Sequence, residues 1–299
     1  MKTRYIIPAV ILLAACQHID DTPLTPKENN SPESGNSAWT LTVQAQKGGA
    51  GTKALNLINE GNTLEPYWTS TEKVKVYKDN VYLFDLDVTP DEGEHPLTAT
   101  LSSNSESLSG LSQGDALTLL IPRDTWDYTG QTGVLTGAGS VENTYDYAVA
   151  SVSVNSVKNN KITTSDGTFL NQQSVYRFTF TGLGDAVTVA DITLSDTQGG
   201  IIRSRTLSAA GGWTSEPGSL FVQPGTPTLD PFFLSIRNEN TGDDTYTFTI
   251  HGSNSAYYQA TKAIPASVLA GNGKYIKGTV TASQPDFSPA SGETTETAL

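Results

Sequence analysis

Apolar and polar residues alternate strictly along residues 39–46, the first patterned segment of the chain. Trp39, Leu41, Val43 and Ala45 fall on one face, and threonine and glutamine side chains fall on the other. A period of two is typical of a strand with one buried face. The pattern therefore predicts a first strand whose apolar side packs into a core.

Similar short segments recur to residue 282, separated by Gly, Pro, Asn and Asp, as in an all-β protein. Residues 78–80 predict a hairpin loop between two of them. Short helices are predicted only at residues 55–59 and 264–269. The predicted later strands are residues 73–77, 81–86, 97–101, 116–121, 145–154, 175–180, 187–194, 201–207, 219–222, 232–237, 245–250, 257–261 and 275–282.

The N-terminus reads as a lipoprotein signal peptide. Lys2 and Arg4 precede an apolar stretch at residues 5–13, and Ala14 and Ala15 lead to Cys16. Such an arrangement predicts cleavage after residue 15 and a lipid on Cys16, which is the one cysteine of the chain. We therefore expect export as a lipoprotein, attachment to outer-membrane lipid and a location on the cell surface.

Composition divides the remainder of the chain. Residues 16–38 are polar and proline-containing, which predicts a disordered tether. The strand pattern is interrupted between residues 159 and 172, so we predict an N-terminal unit at 39–165 and a C-terminal unit at 166–282. Residues 283–299 lack alternation and predict a flexible tail.

Charge and motif content argue against nucleic-acid binding and catalysis. The chain has 31 acidic and 18 basic residues, a net charge of −13, whereas phosphate recognition needs a basic surface. The three histidines lack metal-ligand spacing, and no nucleophile elbow or phosphate loop is present. We predict no enzyme, no metal and no cofactor. Carboxylates that converge from distant segments, as in a glycosidase, remain an alternative.

Several large aromatic residues have two interpretations. They either pack in the core and along sheet edges, which we favour, or form a platform for carbohydrate. A surface glycan-binding lipoprotein is therefore a rival function. The residues concerned are Trp68, Trp126, Tyr128, Trp213, Tyr257 and Tyr258.

A glycine-rich joint follows the first strand, at residues 48–54. Lys53 is the favoured site for a trypsin-like protease and would leave Ala54 as the new N-terminus, whereas Lys47 is the less favoured site. Removing the strand would expose an apolar groove with unpaired backbone groups, a template for another strand. The alternative is a permanent first strand in an uncut protein.

Several segments, in order, resemble the fimbrillin-like (FimA/Mfa-like) proteins of Bacteroidales, which are lipoprotein-derived pilins. The resemblance covers nearly the whole chain after the signal peptide. It rests on the residues before Cys16, on GTKA at 51–54, WTSTEKVKVY at 68–77, GDALTLLIPRDTWDYTGQTGVL at 114–135, YDYAVASV at 145–152 and YYQATKAIPASVLAGNGKYIKGTV at 257–280.

The resemblance implies two transthyretin-like Greek-key β-sandwich domains in tandem. It further implies a fimbrial subunit or pilus-associated adhesin, in which a protease releases the first strand and a strand of a neighbouring pilus subunit replaces it. A host or bacterial surface ligand would be a further partner.

The C-terminus departs from that pattern, because residues 283–299 are too polar for a donor strand. Residues 275–282 are the better candidate, with Ile276, Val280 and Ala282 on one face, although Gly278 weakens the segment. This departure favours, as an alternative, an accessory subunit or an anchor that keeps its lipid.

Overall fold

The computed structural model describes residues 39–48, 55–58 and 63–285, and strands dominate throughout. The all-β prediction is confirmed. The first half contains β1 (Thr40–Gly48), β2 (Leu55–Ile58), β3 (Thr63–Pro66), β4 (Lys73–Lys78), β5 (Val81–Pro90), β6 (Thr98–Asn104), β7 (Ala116–Ile121), β8 (Thr125–Asp127), β9 (Ala148–Lys158), β10 (Lys161–Thr164) and β11 (Gly167–Asn171), with a 3-10 turn at Glu106–Gly110 and helix α1 at Val141–Thr144.

The second half continues in the same style and has one short helix, α2 (Ala266–Leu269). Its strands are β12 (Ser174–Thr181), β13 (Val189–Asp196), β14 (Ile201–Ser208), β15 (Gly212–Pro217), β16 (Leu220–Val222), β17 (Phe232–Asn238), β18 (Asp244–Gly252), β19 (Tyr257–Ile264) and β20 (Tyr275–Thr281).

Local predictions have mixed outcomes. Asp79 and Asn80 both adopt positive φ, 51° and 62°, and form the tight turn between β4 and β5, as the sequence predicts. The helix predicted at residues 55–59 is wrong, because β2 pairs with β3 in a small antiparallel sheet. At residues 264–269 the predicted helix is reduced to the single turn of α2.

The first half forms a closed ring of seven strands in the order β1-β11-β9-β7-β4-β5-β6, and β6 returns to pair with β1. The predicted sandwich of two facing sheets is therefore not what the first half shows. The reason is that the nine-residue β1 bonds to neighbours on both sides, so no open edge is left at the seam. The interior of the ring is a core of aliphatic side chains with the aromatic residues Trp68, Phe84 and Phe169.

The second half places two sheets around one core. One sheet has the strand order β15-β14-β17-β12-β20, and the other has the order β16-β13-β18-β19. Phe178 and Phe248, which belong to different sheets, meet edge to face with ring centroids 4.9 Å apart. Both are almost fully buried, and this core is richer in aromatic residues than the ring.

The two halves exchange elements near their boundary. β11 belongs to the first-half ring, although the predicted boundary at residue 165 assigns it to the second half. β8 pairs with β14 of the second half, and Trp126 in β8 packs against Trp213 at 4.0 Å between centroids. Residues 39–285 therefore belong to one compact unit, and the division into two domains stays a prediction.

Candidate functional site: the first strand and its socket

The first strand lies with one face inside the ring. Leu41 and Val43 have no exposed surface, and Ala45 is 4% exposed. Trp39 packs against the same core while partly exposed. Thr42 and the glutamines between these positions face outward. The buried and exposed positions follow the alternation in the sequence.

Backbone hydrogen bonds hold β1 on both sides. On one side it runs antiparallel to β6 over seven consecutive pairs, from Thr40 opposite Asn104 to Gln46 opposite Thr98. On the other side it runs parallel first to β10 and then to β11. Removal of β1 would therefore leave two strand edges facing one gap, together with an open apolar interior.

The inward face of β1 ends in a lysine. Lys47 continues the register of Leu41, Val43 and Ala45 and is only 2% exposed. Its Nζ lies 2.8 and 3.0 Å from the two carboxylate oxygens of Glu72 and donates to the Tyr67 carbonyl at 2.6 Å. A buried ammonium group needs such partners, because an isolated charge in an apolar interior is strongly unfavourable.

An aromatic ring also contacts the Lys47 ammonium. We call the Glu72 carboxylate, the Tyr67 carbonyl and the Trp68 ring together the socket. The Lys47 ammonium lies 4.5 Å from the centre of the Trp68 ring, a favourable cation–π arrangement. Trp68 in turn meets Phe169 of β11 edge to face at 5.3 Å.

Burial, followed by the charges of Glu142 and Glu72, raises the pKa of the Tyr67 phenol above its ordinary value. The Tyr67 side chain therefore remains protonated at neutral pH.

The structure locates some of the predicted processing residues and not others. Lys53, Ala54 and the lipidation site Cys16 lie outside the described residues. Lys47, the less favoured cleavage site, lies in the ring interior and makes a buried ion pair. Both processing sites stay predictions.

The candidate donor strand is part of its own sheet. β20 pairs in parallel with β12 along all seven of its residues. Val280 and Ala282 are 2% and 4% exposed, and Ile276 packs partly buried against the second-half core. β20 is the last strand in the order of its sheet. Directly after it, Ser283 forms an isolated antiparallel bridge with Gln259 of β19.

The aromatic residues that could form a carbohydrate platform are mostly buried. Trp68, Trp126, Tyr128 and Tyr258 are at most 4% exposed, whereas Tyr257 is 58% exposed and stacks on His251. One exposed ring does not make a line of aromatic residues. The packing interpretation holds for these four side chains.

The described residues hold no cluster of three or more metal-ligating side chains. His95 packs edge to face against Tyr67, and His251 lies 3.1 Å from an Asp191 carboxylate oxygen. Within the same residues, no helix is long and apolar enough to cross a bilayer.

Sequence reasoning missed Glu72 and the inward position of Lys47. The signal for Lys47 was available, because it stands two residues after Ala45 and so extends the period-two register. Glu72 carries no such signal. It lies in the connection between β3 and β4 and reaches Lys47 only through the fold.

Comparison with known proteins gives no family assignment, since no family model and no curated protein matches the sequence. Among solved structures, the chain is similar to proteins provisionally described as cell adhesion proteins. One, from Bacteroides uniformis, has a TM-score of 0.42 and 15% identity, with 83% of this chain and 99% of that chain covered. Another, from Bacteroides ovatus, has a TM-score of 0.41 and 10% identity, with 83% and 96% covered.

A third structure, from Bacteroides ovatus and provisionally described as an adhesin, has a TM-score of 0.36 and 10% identity, with 89% of this chain and all of that chain covered. Similarity at this level assigns neither a fold nor a function to this chain.

Proposed function

We propose that this chain is a structural subunit of a surface fibre, or an adhesin associated with one, that assembles by strand exchange and catalyses no reaction. In this proposal the precursor is exported as a lipoprotein through Cys16. A trypsin-like protease then cuts after Lys53, β1 leaves, and a strand of a neighbouring subunit takes its place. The site of action is the outer surface of the cell.

The observation that carries the proposal is the position of β1. It is the first strand in the described part of the chain, yet it is an internal strand of the closed ring. Full burial of side chains the size of Leu41 and Val43 stabilises a fold by about 1.5–3 kcal/mol each. A ring without β1 would expose that interior and two strand edges, which together favour capture of another strand.

Limited proteolysis of the full chain tests the proposal. Mild trypsin treatment should create one main N-terminus at Ala54, and the cut protein should form high-mass ladders on gels. The ladder should disappear when Lys53 is changed to Gln, because the joint then lacks its basic residue. A cut protein that remains monomeric and keeps β1 bound would contradict strand exchange.

A second candidate function is a terminal subunit or lipid-retaining anchor that accepts a strand without donating one. The pairing of β20 along the whole of its length with β12 favours this role, because the candidate donor strand is already in use. An anchor should need detergent for release from cells and should carry lipid on Cys16 when mature. Mass spectrometry of the N-terminus from cells separates this role from that of a soluble fibre subunit.

A further inference from the structure

The buried lysine of β1 bears on which strand can replace it. Building on the proposed strand exchange, we infer that the socket around Glu72 selects an incoming strand that carries Lys or Arg at the position of Lys47. The occupant is an extended segment of another subunit, apolar at alternate positions and cationic at the last inward position. The pairing with Glu72 would then set the register of the new strand.

The groups that bind the ammonium do not belong to β1. Glu72, the Tyr67 carbonyl and the Trp68 ring all come from the chain around the start of β4. The Glu72 carboxylate also accepts a hydrogen bond from the Thr69 backbone N–H at 2.8 Å, which fixes its orientation. When β1 leaves, these three groups therefore stay in the body of the subunit.

An apolar strand cannot satisfy this socket. The Glu72 side chain is 1% exposed, so a strand without a cation would bury this carboxylate without the ammonium group that lies 2.8 and 3.0 Å from its oxygens. Breaking a buried ion pair by removing one partner costs about 3–5 kcal/mol. That range corresponds to a loss of affinity of about a hundred-fold or more.

The pairing also defines the register of the strand. A shift by one residue would turn the apolar residues outward, and a shift by two would move the cation away from Glu72. A single buried polar contact of this kind is a well-documented way to specify register. Read in the direction of β1, a matching strand is therefore apolar at three alternate positions and basic at the fourth.

The chain's own last strand does not meet this requirement. If Val280 is aligned with Val43 and Ala282 with Ala45, the residue in the place of Lys47 is Gln284. A glutamine has no charge to compensate Glu72. In the direction of β1, the socket therefore favours a strand from a different kind of subunit over a second copy of β20.

A peptide-exchange experiment on the full chain tests the inference. The protein is cut with trypsin, the protease is inactivated, and synthetic peptides of residues 38–48 are added in excess. The peptides carry the natural Lys47, Lys47→Arg or Lys47→Met, and insertion is measured by native mass spectrometry. We expect similar insertion for Lys and Arg, and at least about a hundred-fold weaker binding for Met.

The same peptides on a Glu72→Gln chain complete the test. The neutral amide removes the charge in the socket, so the preference for a basic peptide should fall by at least ten-fold. Equal insertion of the Lys and Met peptides into the unmodified chain would overturn the inference and leave strand exchange intact. Failure of every peptide to insert, including the natural one, would overturn both. If the Glu72→Gln chain does not fold, the peptide series on the unmodified chain still decides the question.

Discussion

The first and last strands of the described residues, β1 and β20, differ in how their neighbours hold them. β1 has strand neighbours on both sides and closes a ring, whereas β20 has one strand neighbour and lies at the edge of an open sheet. β1 buries Leu41, Val43 and Ala45 almost fully, whereas β20 buries Val280 and leaves Ile276 partly exposed. The difference is therefore topological: loss of β1 opens a whole core, while loss of β20 uncovers one side of a sheet.

The two cores differ in chemistry as well. The buried members of the ring core are mainly aliphatic, and the inward face of β1 ends in a buried ion pair. The second-half core contains several buried tyrosines, among them Tyr147, Tyr176 and Tyr246. Because β1 closes the ring and carries a buried charge at its end, the stability of the first half should depend on the sequence of that strand. Burial raises the pKa of Tyr67 and Tyr77 in the first half too, but the second-half core buries more tyrosines, so we expect the larger loss of stability at alkaline pH there.

The largest effect should come from a charge inside the ring. Val43→Asp places a carboxylate in a fully buried position without a cation beside it, and we expect a loss of about 5 kcal/mol or more of stability. Val280→Asp should cost less, because the edge strand β20 can detach while the remaining sheet stays paired. Urea unfolding followed by circular dichroism measures both.

The matched control is Gln44→Asp, on the outward face of the same strand. It should change the free energy of unfolding by less than about 1 kcal/mol. Equal losses for the Val43 and Val280 substitutions would remove the distinction between a closing strand and an edge strand.

The buried ion pair should give the next effect. Lys47→Met leaves the Glu72 carboxylate buried without its cation, and the expected loss is about 3–5 kcal/mol. Combining Lys47→Met with Glu72→Leu should restore most of that loss, because a buried pair and an apolar pair of similar size are close in stability. A double-mutant cycle by chemical unfolding measures this coupling.

The pair of Lys73 and Asp87 is the control for that cycle. It links neighbouring strands β4 and β5 of the same ring, and the two side chains are 60% and 70% exposed. Asp87→Asn should therefore change stability by less than about 1 kcal/mol. A loss as large as that of Lys47→Met would show that burial does not distinguish the two pairs.

The smallest expected effect is a loss of folding stability at alkaline pH, which should differ between the two cores. Burial, followed by the charge of Tyr176, raises the pKa of Tyr246 above its ordinary value. Burial also raises the pKa of Tyr147 and Tyr176. Because the fold favours the neutral phenols, their contribution is complete below pH 10 and falls as pH rises from 10 towards the folded-state pKa.

Tryptophan fluorescence can assign that loss to one half. A variant with Trp126→Phe and Trp213→Phe reports on Trp39 and Trp68 in the ring, and the converse variant reports on the second half. The second half should unfold at lower urea concentration at pH 11 than at pH 9, with a smaller change in the ring. If the urea concentration of unfolding shifted equally for both tryptophan reporters, the two halves would not differ in alkaline sensitivity.

Much of the architecture follows from local pattern. The alternation in β1 predicted its buried face, and the Asp79–Asn80 turn was readable because few residues adopt positive φ easily. The prediction failed at residues 55–59, where five residues carry too little periodicity to separate a helix turn from a strand. It also failed to show that β8 pairs with β14, because this contact joins residues far apart in sequence.

The sequence by itself determined which side of the first strand is apolar, that the protein is built of strands, and that Lys47 shares the register of Leu41, Val43 and Ala45. A period of two is a property of neighbouring residues, so it can be read without the fold. Only the tertiary structure decided that β6 returns to close the ring and that Glu72 meets Lys47 inside it. Those contacts depend on how distant segments pack, because burial and charge pairing are set in three dimensions.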